Sequence, residues 1–107
     1  MEINILIKRA VEIREKYKKL EIKKYGKVRT NGQVAQGLIG DIGDLMKLVM
    51  AKEGIREVDN VDDKLAHELA DCLYSVFVLA NNFGVDLERS FLETMRELEI
   101  RISKNDG

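Results

Sequence analysis

The sequence predicts an all-α fold, and three observations support that prediction. The chain of 107 residues contains no proline, the residue that breaks helices most strongly, so long uninterrupted helices are possible. Its residues are 45% hydrophobic and 35% charged, a balance typical of folded rather than disordered chains. Apolar residues also recur at three- and four-residue steps, the period of helices that bury one face. We therefore expect four helices in a single domain spanning residues 1–107.

The first two helices are predicted from a packing seam and from a capping motif. Helix 1 runs from about Glu2 to Lys24, and its remaining faces are charged. Its seam consists of Ile3, Leu6, Ala10, Ile13, Tyr17 and Leu20. Helix 2 begins after Thr30, because Gln33 follows three residues later and can complete a capping box, and it ends at Gly54.

Helices 3 and 4 are bounded by residues that favour helix ends. Asn60 is a good N-cap for helix 3, Gly84 is a good residue to follow its end, and Asp86 is a good N-cap for helix 4. Only about six residues connect helices 2 and 3, which is typical of antiparallel neighbours. The sequence thus predicts a central antiparallel hairpin of helices 2 and 3.

Two pairs of acidic residues lie in this predicted hairpin. Asp41 and Asp44 are three residues apart on helix 2, as are Glu68 and Asp71 on helix 3, so each pair shares one helix face. Asp41 and Asp71 are equally far from residue 56, near the middle of the connection, and so are Asp44 and Glu68. We therefore expect Asp41 level with Asp71, and Asp44 level with Glu68.

These four carboxylates have mostly apolar neighbours, so a cation is required to offset their mutual repulsion. Helix 3 is apolar almost all round except for one narrow polar strip, which consists of Lys64, Glu68, Asp71, Ser75 and Asn82. Oxygen ligands without histidine or cysteine favour Mg²⁺ or Mn²⁺ over zinc. Because Mg²⁺ often shares its ligands with substrate phosphates, the pattern indicates a substrate that carries phosphate.

Three glycines form a strip beside the first acidic pair. Gly37, Gly40 and Gly43 each cost about 1 kcal/mol relative to alanine in a helix. A close approach to this backbone is therefore expected, either by another helix or by a ligand.

The two acidic motifs carry a family resemblance. "GDIGDL" followed by "ELAD" resembles the E-x-x-E … E-x-x-D signature of the MazG-like all-α nucleoside triphosphate pyrophosphohydrolases, over roughly Tyr25 to Arg101. "LADCLYSVFVLANNFGVDLERSFLETMRELEIR" is similar to that family's third and fourth helices. The resemblance implies a four-helix MazG-like domain that dimerises into a larger bundle, as a homodimer or homotetramer. It also implies Mg²⁺-dependent cleavage of a nucleoside triphosphate to the monophosphate and pyrophosphate, often to clear the nucleotide pool.

The resemblance also implies roles for individual residues. The implied metal ligands are Asp41, Asp44, Glu68 and Asp71, and Asp41 also orients the attacking water. The implied substrate-binding residues are Tyr25, Ser75 and Asn82. This chain departs from the family pattern in having aspartate at both positions of the first pair, where the family has glutamate, and in having Thr94 where many relatives have lysine.

Charge leaves a second class of function open. The net charge is only −1, but residues 14–29 contain eight lysines and arginines against two glutamates. The alternative is thus a non-catalytic helical dimer that binds nucleotides or nucleic acid through this basic segment. His67 is expected away from the acids and Cys72 in an apolar setting, and neither receives a role. With one cysteine, no signal peptide and no apolar run long enough for a membrane, we expect a cytoplasmic protein without nucleic acid or membrane as its main partner.

Overall fold

The structure is a computed structural model that describes residues 2–106. Within them it contains four α-helices and no strand. They are α1 (Ile3–Tyr25), α2 (Asn31–Lys52), α3 (Val61–Asn82) and α4 (Leu87–Asp106). The predicted all-α class and the number of helices are therefore confirmed. None of the helices in this part of the chain is long and apolar enough to cross a membrane.

The start of α2 is a complete capping box, as predicted. The Thr30 hydroxyl accepts a hydrogen bond from the Gln33 backbone N–H at 3.1 Å, and the Gln33 side-chain oxygen accepts one from the Thr30 N–H at 2.8 Å. Two backbone N–H groups that the helix cannot satisfy internally thus have partners.

We expect Thr30→Ala to lower the free energy of unfolding by about 1 kcal/mol, because it removes the hydroxyl acceptor at this cap. The melting temperature should fall by about 4–8 °C for a domain of this size. The matched control is Thr94→Ala, at an exposed position inside α4 where alanine is the better helix former. Equal melting temperatures for Thr30→Ala and the wild type would contradict a stabilising role for the cap.

The other helix ends show one difference from the sequence prediction. The Asp86 carboxylate caps α4 by accepting from the Arg89 N–H at 3.2 Å, as expected. Asn60 precedes α3, but its side chain makes no capping hydrogen bond, so the predicted side-chain cap is wrong. The reason is that Asn60 has φ 57°, in the left-handed region, whereas a capping residue normally has an extended backbone. Asparagine tolerates this conformation better than most residues.

Helices α2 and α3 form the predicted antiparallel hairpin. At one end of the pair the Lys52 ammonium lies 2.6 Å from an Asp62 carboxylate oxygen. At the other end the Asn82 side-chain N–H donates to the Asn31 side-chain oxygen at 2.8 Å. Helix α1 packs against α3. The buried apolar side chains come from these three helices and are Ala10, Val34, Leu48, Phe77, Val78 and Ala80.

Helix α4 makes little contact with the rest of the described chain. Its side chains from Glu88 to Asn105 are all exposed, including a set of large apolar ones. Those apolar side chains are Phe91, Leu92, Met95, Leu98, Ile100 and Ile102. Within one copy of the chain, the amphipathic pattern of α4 therefore has no apolar face to pack against.

Candidate metal centre and substrate cleft

Three of the four predicted metal ligands come together between α2 and α3. Asp41, Asp44 and Glu68 each offer one carboxylate oxygen, and these oxygens all lie within 4.8 Å of one another. Asp41 and Glu68 are partly buried and Asp44 is exposed. The antiparallel packing creates this cluster, because it brings Glu68 of α3 beside an acidic pair that lies one helical turn apart on α2.

Glu68 is the least favourably placed carboxylate of the cluster. Its Oε1 atom is buried and has no hydrogen-bond partner among the described residues. Burial raises the pKa of Glu68, and the negative charges of Asp41, Asp71 and Asp44 raise it further. A divalent cation would supply both the missing partner for Oε1 and the missing positive charge. The residues present therefore fit a hard cation such as Mg²⁺, which prefers carboxylate oxygens.

Asp71 lies outside this close cluster and pairs with His67. The His67 Nε2 atom is 3.1 Å from an Asp71 carboxylate oxygen. The expectation that His67 lies away from the acids is therefore wrong, since residues four apart share one face of a helix. Glu68 is close to both Asp41 and Asp44.

A cleft of 650 Å³ opens beside the acids, between α1 and the α2–α3 hairpin. Asp41 and Asp71 line one part of it, and Ser75 lines it one turn beyond Asp71. The other polar and aromatic side chains that line it are Arg14, Tyr17, Glu21, Arg29, His67 and Tyr74. A smaller cleft of 370 Å³ meets the acids at Asp44 and Glu68 and contains three cationic side chains, those of Lys47, Arg56 and Lys64.

The three residues with an implied substrate role have different surroundings. Ser75 is buried and lines the larger cleft. Tyr25 lies at the end of α1, is 70% exposed and is not among the residues that line the cleft. Asn82 pairs with Asn31 at the far end of the hairpin and is also outside the cleft lining. The structure thus brings Ser75, but neither Tyr25 nor Asn82, next to the acids.

A buried ion pair on α1 forms one wall of the cleft. Two guanidinium nitrogens of Arg14 donate to the two carboxylate oxygens of Glu21, at 2.6 and 3.1 Å. Glu21 Oε1 also accepts from the Arg29 backbone N–H at 2.8 Å. The hydrogen bonds from Arg14 and Arg29 lower the pKa of Glu21. Sequence reasoning missed this pair because the partners are seven residues apart inside a run of charges that resembles a solvated face.

The structure gives a reason for one of the three glycines, Gly37. A β-carbon at position 37 would lie 2.9 Å from the Arg29 Nη2 atom, so Gly37 leaves room for a guanidinium. The expected close approach at this glycine is therefore made by an arginine side chain of the same chain. Beyond the adjacent residues and the surrounding backbone of α2, no described atom lies within 4 Å of such a β-carbon at Gly40 or Gly43.

Two other titratable groups near the site remain protonated at neutral pH. Burial raises the pKa of the Tyr74 phenol, which lines the cleft and can therefore act as a hydrogen-bond donor. Burial also raises the pKa of the Cys72 thiol, and the charges of Asp41, Glu68 and Asp71 raise it further, so the setting of Cys72 is not purely apolar. A protonated, partly buried thiol is a poor nucleophile.

Comparison with known proteins identifies the family of this chain. The family model described as "MazG nucleotide pyrophosphohydrolase domain" matches residues 29–104. That match covers most of the chain, including both acidic motifs, and leaves α1 outside. Searches of curated proteins and of solved structures found no match. The chain belongs to the MazG nucleotide pyrophosphohydrolase domain family.

Proposed function

We propose that this protein is a metal-dependent pyrophosphohydrolase that cleaves a nucleoside triphosphate to the monophosphate and pyrophosphate. The observation that carries the proposal is the cluster of Asp41, Asp44 and Glu68 beside a cleft, with one buried Glu68 oxygen that lacks a partner. A nucleotide substrate agrees with the family to which the chain belongs. The ribo or deoxyribo sugar and the base are left to experiment.

The four carboxylates divide the work of the site. Asp41, Asp44 and Glu68 would hold Mg²⁺, or Mn²⁺ in its place. Asp71, which shares a helix face with Glu68 but lies outside the close cluster, would be the fourth ligand. The bound ion supplies positive charge that stabilises the phosphate oxygens during cleavage. Asp41 also faces the cleft, so it is placed to orient a water and accept its proton as the water attacks the α-phosphorus. The bond between that phosphorus and the bridging oxygen of pyrophosphate then breaks.

The cleft holds the remainder of the substrate. Ser75 offers a hydroxyl near the acids, while Tyr17 and Tyr74 offer aromatic rings on which a base can stack. Tyr17 belongs to α1, and Tyr74 follows Asp71 by three residues on α3. In this proposal, Tyr25 and Asn82 contact the substrate only if part of the substrate extends beyond the cleft of a single chain.

We also propose that the active form is a homodimer or homotetramer. Large apolar side chains are exposed on α2 and α3 as well as on α4, for example Ile39 at 70% and Leu69 at 51%. Exposed apolar area of this extent is typical of an interaction surface. A role in clearing surplus or damaged nucleotides follows from the family and is part of the proposal.

The proposal is tested by measuring pyrophosphate release from a panel of ribo-, deoxyribo- and damaged nucleoside triphosphates, with Mg²⁺, with Mn²⁺ and with chelator. We expect release with either metal, stoichiometric formation of the monophosphate and no release with chelator. No release from any substrate by folded protein would refute the hydrolase. Binding of nucleic acid that weakens steeply with salt would then favour the non-catalytic alternative, since exposed lysines follow α1 from Lys16 to Lys24.

A further inference from the structure

We propose that Arg29 binds the phosphates of the nucleotide and that Gly37 is the slot that holds its guanidinium in place. The inference rests on the proposed function, because it concerns the same substrate. It adds a specific binding residue at the boundary of the family match, on the segment that joins α1 to α2.

The backbone of Arg29 is fixed from the α1 side. Its N–H donates to Glu21 Oε1 at 2.8 Å, and its carbonyl oxygen accepts from Arg14 Nη2 at 3.4 Å. Glu21 and Arg14 are themselves buried and paired with each other. The short connection between α1 and α2 therefore holds Arg29 in one position relative to the cleft.

The side chain of Arg29 lies along α2 toward the acids. Its Nη2 atom donates to the Gln33 carbonyl oxygen at 2.7 Å, and the same atom would be 2.9 Å from a β-carbon at Gly37. Gly37 and Asp41 are four residues apart, so they lie on one face, separated by about 6 Å along the helix axis. A phosphate bound beside Asp41 is therefore within reach of this guanidinium.

Arg29 also has charge and donors available for an anion. The charge of Arg14 in the same cleft is neutralised by Glu21. In contrast, the Arg29 side chain makes its hydrogen bond to a carbonyl, and among the side chains of residues 2–105 it has no carboxylate within 4.0 Å. A guanidinium has five N–H donors, and its planar fork suits phosphate oxygens. A triphosphate carries more negative charge than one divalent ion neutralises. A second cation near Asp41 would neutralise part of the remaining charge.

The test measures equilibrium binding to Arg29→Gln in the presence of Mg²⁺. The probes are a triphosphate analogue with a methylene group between the α- and β-phosphorus atoms, and the matching nucleoside without phosphate. We expect the variant to bind the analogue at least about tenfold more weakly, which corresponds to about 1.4 kcal/mol. Binding of the nucleoside should change less than twofold, because the nucleoside has no phosphate for Arg29 to contact.

A second variant separates the position of the guanidinium from its charge. In Gly37→Ala the three atoms nearest the added β-carbon all belong to the flexible end of Arg29, so the helix should be at least as stable as in the wild type. The guanidinium must move, however, and we expect weaker binding of the triphosphate analogue with an unchanged or higher melting temperature. The matched control is Gly32→Ala, on the opposite side of α2, where a β-carbon has only an ordinary contact of 3.7 Å with Thr30.

The outcomes distinguish this inference from the proposed function. A wild type that binds and cleaves the nucleotide, together with an Arg29→Gln variant that binds the analogue equally well, would refute the role of Arg29 alone. A wild type that binds none of the nucleotides would refute both. Equal losses of triphosphate and nucleoside binding in Arg29→Gln would also refute a phosphate contact, because such losses indicate a general change of the cleft.

Discussion

Replacing Glu68 with glutamine should abolish metal-dependent hydrolysis and, at the same time, stabilise the metal-free protein. Removing residues that merely support metal ligands costs about 10–100-fold in activity or affinity, so removal of a ligand carboxylate should cost at least about 100-fold. Without metal, the same carboxylate is buried beside two aspartates and its Oε1 lacks a partner. A neutral amide removes that repulsion, and we expect an increase of about 1 kcal/mol in the free energy of unfolding at neutral pH.

The direction of the pH dependence follows from the raised pKa of Glu68. A carboxyl group with a raised pKa in the folded state contributes stability that is fully present below the unfolded value, about 4.3, and that is lost as pH rises through the folded value. In chelator, the stability advantage of Glu68→Gln over the wild type should therefore grow with increasing pH. Melting temperatures measured from about pH 5 to pH 8 give this curve.

Addition of Mg²⁺ should reverse the order of the two proteins. The wild type gains stability from an ion that binds only the folded state, whereas Glu68→Gln should show little gain. The matched control is Glu97→Gln on exposed α4, which should behave like the wild type in both conditions. A Glu68→Gln protein that melts lower than the wild type in chelator, or that keeps the full response to Mg²⁺, would contradict a metal role for Glu68.

The sequence predicted the central hairpin and its acids because both depend on local rules. Thr30 and Gln33 specify where α2 begins, and a short connection forces α3 to return beside α2. Counting residues from the middle of that connection then places Glu68 near the acids of α2. The count fixes height along the helices but not the direction of long side chains, so it did not show that Asp71 contacts His67.

The α1 wall of the cleft could not be predicted in the same way. Arg14 and Glu21 are two turns apart, so they meet only because both side chains extend along the helix. Other parts of the chain bury the pair. In sequence they are indistinguishable from the solvated charges around them. Arg29 lies beyond the end of α1, and its position depends on that buried pair. Contacts that depend on tertiary packing do not follow the periodic spacing of residues from which helices are predicted.

Breaking the Arg14–Glu21 pair should produce a large loss of stability. The two side chains are only 7% and 11% exposed, and Glu21→Gln would leave the buried guanidinium without its counter-charge. Removing one partner of a buried ion pair typically costs 3–5 kcal/mol, and we expect about 3 kcal/mol because glutamine keeps an acceptor for Arg14 and for the Arg29 N–H. Urea unfolding at neutral pH measures this loss against a total stability that is usually about 5–15 kcal/mol.

The double variant Arg14→Met/Glu21→Gln distinguishes lost pairing from lost packing. It removes the buried positive charge and keeps the Arg29 N–H acceptor, so we expect it to recover most of the stability that Glu21→Gln loses. Acid should have a related effect on the wild type. The pKa of Glu21 is lowered by its hydrogen bonds, so its contribution is present above the unfolded value and is lost as pH falls through the folded value. The gap between the wild type and Glu21→Gln should therefore narrow as the pH falls below the unfolded value of about 4.3, and a gap that stays constant until the wild type unfolds in acid would show that shape rather than charge holds α1 in place.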